Sequence, residues 1–173
     1  MSILCWNCRG LGSDSTVGEL RWLVKLYRPS LLFLSETKMR DSRVKNFMWS
    51  LGFSGCYAAS IDGLSGGLAL LWTSTADVTV KAASKRCIDT HVKLDDGVPW
   101  RATFVYGEPR REDRHLFWEL LHRMQPAWRG PWLCCGDFNE VLAQDEHCGP
   151  RDRSKAQIAA FRDCMMDCSL MDL

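Results

Sequence analysis

The sequence has no apolar run long enough to cross a bilayer. Leu31–Leu34 and Leu68–Trp72 are among its longest, where a spanning helix needs about 20 residues. It also lacks an excess of charge of either sign. Lys+Arg 22 against Asp+Glu 21 gives +1, which excludes a strongly basic chromatin coat or an acidic solvating tail and leaves room for local basic patches. No internal repeat, low-complexity tract or linker is visible. Met1-Ser2-Ile3-Leu4-Cys5-Trp6 has no basic n-region and runs into polar Asn7, so neither a signal peptide nor a membrane partner is expected. What is present is globular: 46% hydrophobic and 25% charged residues in 173, the length of one domain spanning 1–173. The sequence carries no signal for oligomeric state.

Cysteine is abundant, but its pattern excludes a secreted disulfide scaffold. Nine is an odd number, and neither a short chain nor an export signal accompanies it. Cys134-Cys135 lie in an apolar run and read as reduced, buried thiols. Cys5-x-x-Cys8 is half of a zinc pattern without a convincing second half. Cys164 and Cys168 are spaced to share a helix face, yet zinc is the weaker reading. A reducing, intracellular setting is expected.

Short strand-like runs alternate with helix-period segments, which predicts a layered α/β fold. Strands are expected at Ile3–Trp6, Leu31–Leu34, Leu68–Trp72, Val78–Lys81, Ile88–Leu94, Arg101–Tyr106 and Pro131–Cys135. Those from Leu68 to Tyr106 read as an antiparallel run, with Asp95-Asp96-Gly97 as a hairpin turn. Thr16-Val17-Gly18-Glu19 reads as a capping box for a helix bearing Leu20, Leu23, Val24 and Tyr27, ended by Pro29. Ser42 is expected to cap a helix stopped by Gly52. A third helix carries Leu116, Leu120, Leu121 and Met124, and a last one, opened by Ser154-x-x-Gln157, carries Ile158, Phe161 and Met165.

Four of the predicted strands end on polar residues: Asn7, Ser35-Glu36, Tyr106-Gly107 and Gly136-Asp137-Phe138-Asn139. Ligands of layered α/β folds gather outside the carboxyl ends of strands. Two carboxylates, two carboxamides and a phenol meeting there would be hard oxygen donors of the kind Mg²⁺ or Mn²⁺ prefers. Taken one at a time, each has a plain alternative, because Asn and Asp after strands are common turn formers. Ser65-Gly66-Gly67 lacks a following Gly-Lys-Ser/Thr and reads as a tight turn, not a phosphate cradle. Basic clusters at Arg110, Arg111 and Arg114, and at Arg151, Arg153 and Lys155, suit either DNA-backbone contacts or ordinary solvated loop charge.

Cys5-Trp6-Asn7-Cys8-Arg9-Gly10, Leu34-Ser35-Glu36-Thr37-Lys38, Val105-Tyr106-Gly107 and Gly136-Asp137-Phe138-Asn139 occur in the order of the endonuclease/exonuclease/phosphatase superfamily, which the chain resembles from Ile3 to Leu173. Trp6–Leu11 and Ser65–Trp72 look most like the endonuclease domain of plant LINE-type (non-LTR) retrotransposons. The resemblance implies a sandwich of two packed mixed β-sheets flanked by helices. It implies Mg²⁺ or Mn²⁺ held by Asn7, Glu36 and Asp137, with Glu36 the principal ligand. Asp137 would also activate the attacking water, Asn139 would position that water and a phosphate oxygen, and Tyr106 would bond the scissile phosphate. DNA nicking is then the expected activity, with Arg110 and Arg111 on the backbone, a reverse transcriptase domain in the parent element and a nuclear location where functional.

Members of the superfamily close with a Ser-Asp-His motif that is not in this sequence. The expectation is therefore a C-terminally truncated copy, lacking strands of the second sheet and impaired or inactive. A small-molecule phosphoesterase of the same superfamily and a non-catalytic remnant are the alternatives. His115 and His122 fall on a predicted helix, where solvent exposure is the default.

Overall fold

Leu31–Leu34 is apolar at every position, so the strand that contains it must be covered on both faces. In the computed structural model, which describes residues 1–59, 66–94, 97–149 and 152–173, this strand, β2 (Leu31–Ser35), is buried throughout. It runs parallel to β1 (Ile3–Asn7) and antiparallel to β4 (Leu68–Trp72), which pairs in turn with β3 (Gly55–Ala59). The order is β1-β2-β4-β3. The second sheet has the order β5-β6-β7-β8. Its β5 (Ala76–Ala83), β6 (Cys87–Leu94) and β7 (Trp100–Tyr106) are antiparallel, and β8 (Trp132–Asp137) runs parallel to β7.

The chain divides into two compact units, residues 1–106 with 130–137 and residues 107–129 with 138–173. The first contains both sheets, and alternation along β2 sets its layers. Leu31 and Phe33, with Leu68 and Leu70, pack against Ile88, Val92, Ala102 and Phe104 of the second sheet. Phe33 and Phe104 lie 5.5 Å apart between ring centroids. Leu32 and Leu34 face the other way, with Ala69 and Leu71. There they meet Leu20 of α1 (Asp14–Tyr27) and Val44 and Met48 of α2 (Asp41–Ser50). Two packed mixed sheets flanked by helices are the architecture expected from the sequence.

Several local expectations change. The cap of α1 is Ser13, whose hydroxyl accepts from the Thr16 amide. The Thr16 hydroxyl bonds Ser13 Oγ, so the helix starts before the anticipated box. No side chain caps α2, which Arg40 precedes. Gly52 follows α2 with φ 83°, the left-handed stop expected of it. β3 was not anticipated, because Gly55-Cys56-Tyr57-Ala58-Ala59 has little strand propensity. Trp72 explains Gly55: a Cβ there would lie 2.1 Å from the indole. β4 leaves the antiparallel run and joins the first sheet. Asp95 and Asp96 of the expected hairpin turn lie outside the described residues.

In the second unit, α3 (Arg114–Met124) buries Arg114, Phe117, Trp118 and Leu121 instead of the expected leucine stripe, and Leu116 is 53% exposed. Aromatic area decides the rotation. Trp118 stacks on Phe161 of α4 (Lys155–Asp167) at 4.7 Å, while Phe138 meets Phe117 and Phe161 at 6.4 and 5.5 Å. Ser154 sits at the start of α4 but makes no side-chain cap bond, and Cys164 replaces Met165 on the buried stripe. Among the described residues no helix is long and apolar enough to cross a membrane.

A polar network lies inside the second sheet. Arg101 donates from Nε and Nη2 to the two Asp89 oxygens at 2.8 and 2.9 Å, and Thr103 Oγ1 donates to Asp89 Oδ1 at 2.7 Å. Trp132 Nε1 donates to Thr103 Oγ1 at 2.9 Å, and its ring lies 4.9 Å from the Arg101 guanidinium. Asp89 and Arg101 are 4% and 5% exposed. Removing one partner strands the other charge away from water, so Asp89→Ala is expected to cost about 3–5 kcal/mol in urea unfolding. A loss below about 1 kcal/mol would show that Arg101 finds solvent.

Candidate active site

Parallel pairing sets the site. In the β1–β2 register Asn7 stands opposite Ser35, one residue before Glu36, and in the β7–β8 register Tyr106 stands opposite Asp137. Four sequence-nominated side chains of the first unit meet at these strand ends. Asn7 Nδ2 donates to Glu36 Oε1 at 2.9 Å and to Asp137 Oδ2 at 3.4 Å, and Tyr106 Oη donates to the same Glu36 oxygen at 2.9 Å. One amide therefore bridges a carboxylate of each sheet. A cavity of about 140 Å³ lies here, lined by Cys5, Trp6, Asn7, Phe33, Ser35, Gly136 and Asp137.

Backbone geometry aims these groups. Gly136 has φ 134°, and a Cβ on it would lie 2.1 Å from the Val105 carbonyl oxygen. Only glycine lets β8 approach β7 closely enough to seat Asp137 beside Tyr106. Glu36 takes φ 55°, a left-handed conformation that is strained for a non-glycine residue. Its loop is stitched on both sides. Cys8 N donates to Ser35 O and Leu11 N to Thr37 O, while Thr37 N and Lys38 N donate to Gly67 O and Gly66 O at 3.1 and 2.9 Å. Gly66-Gly67 thus braces the Glu36 loop, a role that sequence reading missed. The adjacency of a glycine pair to a strand was the available signal.

The electrostatics follow. Burial alone would raise the Glu36 pKa. The hydrogen bonds from Asn7 and Tyr106, with the positive charges of Lys38 and Arg9, outweigh that and hold it below the usual range. Lys38 Nζ stands 3.9 Å from Glu36 Oε2. Tyr106 moves the other way, to about 12, through burial and its bond to the Glu36 carboxylate, whose charge opposes ionisation. The pair is an ionised carboxylate bound to a firmly protonated phenol.

The donor set fits a hard divalent cation: two carboxylates within reach of one amide, with an amide oxygen on that same side chain. Asn139, two residues beyond Asp137 in the chain, belongs to the second unit. There it has φ 57° and donates from Nδ2 to Gly107 O at 3.0 Å. Arg110 and Arg111 are exposed in that unit. Arg114 is not, since it is ion-paired to fully buried Glu140, and Arg153 Nε also lies 3.9 Å from Glu140. Both arginines neutralise an internal carboxylate, which corrects the solvated reading for those two. Arg151 lies outside the described residues.

The model of the endonuclease/exonuclease/phosphatase family matches residues 4–168. Among solved structures, the chain is similar to a 3′ phosphatase, NExo, from Neisseria bound to a product DNA hairpin. The identity is 18% and the TM-score 0.72, covering 96% of this chain and 71% of that one. An AP endonuclease from Archaeoglobus fulgidus gives 16% and 0.66 over 95% and 68%. A truncated TDP2 from Caenorhabditis elegans gives 21% and 0.57 over 83% and 63%, so the chain spans less than two thirds of that protein. Identities this low speak to the fold alone. No curated protein matches the chain.

Two outcomes are expected of the site itself. Because the Glu36 pKa is depressed in the fold, its stabilisation is full above the unfolded-state value and is lost as pH falls through the folded value. Acid should therefore destabilise wild type more than Glu36→Gln, and parallel pH profiles of thermal unfolding would remove the claim. In an ultraviolet titration against Tyr106→Phe, the missing phenol should ionise near pH 12, and Glu36→Gln should lower that midpoint.

Proposed function

Because the chain belongs to the endonuclease/exonuclease/phosphatase family, we propose that it is a divalent-metal-dependent phosphodiesterase that nicks DNA, of the retroelement endonuclease type. The observation that carries the reading is the single Asn7 amide holding Glu36 and Asp137, with the Tyr106 phenol on the same Glu36 oxygen. The DNA hairpin bound to the Neisseria relative supports DNA as the substrate class. The motifs around Trp6–Leu11 and Gly66–Trp72 support the retroelement assignment. With it come a reverse transcriptase domain in the parent element and work in the nucleus.

Glu36, Asn7 and Asp137 would hold Mg²⁺ or Mn²⁺. Bound there, the ion supplies positive charge that offsets the phosphate's repulsion of a nucleophile. The remaining work falls to side chains. Asp137 accepts a proton from the attacking water as the water oxygen bonds phosphorus; the phosphorus bond to the leaving sugar oxygen breaks, and that oxygen takes a proton from solvent. Asn139 orients that water. Tyr106 stays protonated at any working pH, and its single proton, given to Glu36 in the free protein, turns to a phosphate oxygen when substrate is bound and negative charge builds on it. Exposed Arg110 and Arg111 grip backbone phosphates, without help from Arg114 or Arg153, which serve Glu140.

Plasmid nicking in Mg²⁺ tests the reading. Asp137→Ala and Glu36→Ala are expected to lose roughly 10²–10⁴-fold of the wild-type rate. Equal nicking by all three proteins would reject the assignment, as would turnover of small phosphoesters without DNA cleavage. DNA affinity should weaken in Arg110→Ala/Arg111→Ala, with the log–log salt slope reduced by about 2. An unchanged slope would remove these arginines from the interface.

A further inference from the structure

The sequence spacing of Cys164 and Cys168 left zinc as the weaker reading, because no further ligand was visible. Folding supplies one. His122 of α3 comes to the two cysteines of the α4 region, and one ligand atom from each of the three lies within 4.8 Å of the others. We propose that His122, Cys164 and Cys168 form a zinc site that ties α3 to α4 within the second compact unit. The site uses none of the residues assigned to phosphodiester hydrolysis and stands or falls independently of that reading.

The chemistry of the three groups favours zinc over the hard cations. Two sulfurs and an imidazole are its ordinary ligands, at bond lengths of about 2.3 and 2.0–2.1 Å. On a tetrahedral ion with those bonds, neighbouring ligand atoms stand roughly 3.5–3.8 Å apart, so an ångström of contraction closes the site. Cys164 and Cys168 are one helical turn apart and project from one face. Both are buried, at 1% and 2% exposure, whereas the His122 side chain is 42% exposed.

A second interaction points the same way. His122 Nε2 lies 3.2 Å from Asp167 Oδ2. An ionised carboxylate only accepts, so this contact places the ring proton on Nε2 and leaves the Nδ1 lone pair free. A carboxylate that fixes the tautomer of a histidine is the usual outer partner of a zinc ligand. Burial, with the neighbouring Cys168, pushes Cys164 up to about 12, and Cys168 is raised by burial as well. The two thiols hydrogen-bond each other, and Cys164 Sγ also makes a long contact, 3.9 Å, to the Trp118 carbonyl. A divalent cation would replace the two thiol protons, which leave to solvent, and offset the cost that burial places on the thiolates.

Cobalt titration of the full, reduced chain is the test, since Co²⁺ reports thiolate ligation by its charge-transfer absorbance. Wild type is expected to take up one equivalent with that band, and Zn²⁺ to bleach it. Cys164→Ser and Cys168→Ser should lose the band, and Asp167→Asn should bind about 10-fold more weakly or worse. His122→Ala alters an exposed side chain, so it remains informative should the buried serine variants unfold; it is expected to weaken binding and to abolish the zinc-induced rise in unfolding temperature. The proposal is overturned by the absence of a thiolate band in reduced wild type, by its persistence in both serine variants, or by full affinity in His122→Ala. Thiols found paired as a Cys164–Cys168 disulfide, with no metal uptake on reduction, would overturn it too.

Discussion

Two carboxylates brought to one spot repel each other and resist losing water, so the strand ends that carry Glu36 and Asp137 need something between them. Asn7 provides it. Its amide nitrogen donates to one oxygen of each, joining a side chain of the first sheet to one of the second. The Tyr106 phenol adds a further donor to Glu36. The two donations to Glu36, with the positive charges of Lys38 and Arg9, let it remain ionised although partly buried. In the function proposed above, such a site would offer negative oxygen to a cation and a protonated phenol to a phosphate oxygen.

The fold serves that placement through two parallel strand pairs, β1 with β2 and β7 with β8, set among antiparallel neighbours. Parallel pairing brings carboxyl ends together, and polar residues placed just after apolar strands then collect at one rim. Much of this was legible in the sequence. Long apolar strands such as Leu31–Leu34 announce themselves because both faces are covered, and the residues following them stand out as polar. β3 was not legible, since it is made of small residues that β4 recruits. The burial of Arg101 was equally hidden, because Asp89, Thr103 and Trp132 come to it only through cross-strand register.

The second unit shows how charge and periodicity mislead when packing is unseen. Arg114 and Arg153 look like loop cations in the sequence, yet both turn toward Glu140, a carboxylate with no exposed side-chain surface. The leucines of α3 define one stripe and its aromatic residues another, and the larger rings win the interior. On α4 the same competition gives Cys164 the inward position that Met165 seemed to claim. His122, spaced like a surface residue, becomes the neighbour of two thiols for the same reason.

The left-handed backbone at Glu36 carries a consequence for how the chain tolerates change. A conformation unfavourable by about 1–2 kcal/mol for an L-residue persists here because the next two amides are held by the carbonyls of Gly67 and Gly66. Thr37 Oγ1 would sit only 2.5 Å from a Cβ at position 67. The heading of the acidic group is therefore governed by two residues thirty places downstream that bear no functional atoms. Genetic variation at that glycine pair would redirect the Glu36 carboxylate while every side chain at the strand ends remained in the sequence.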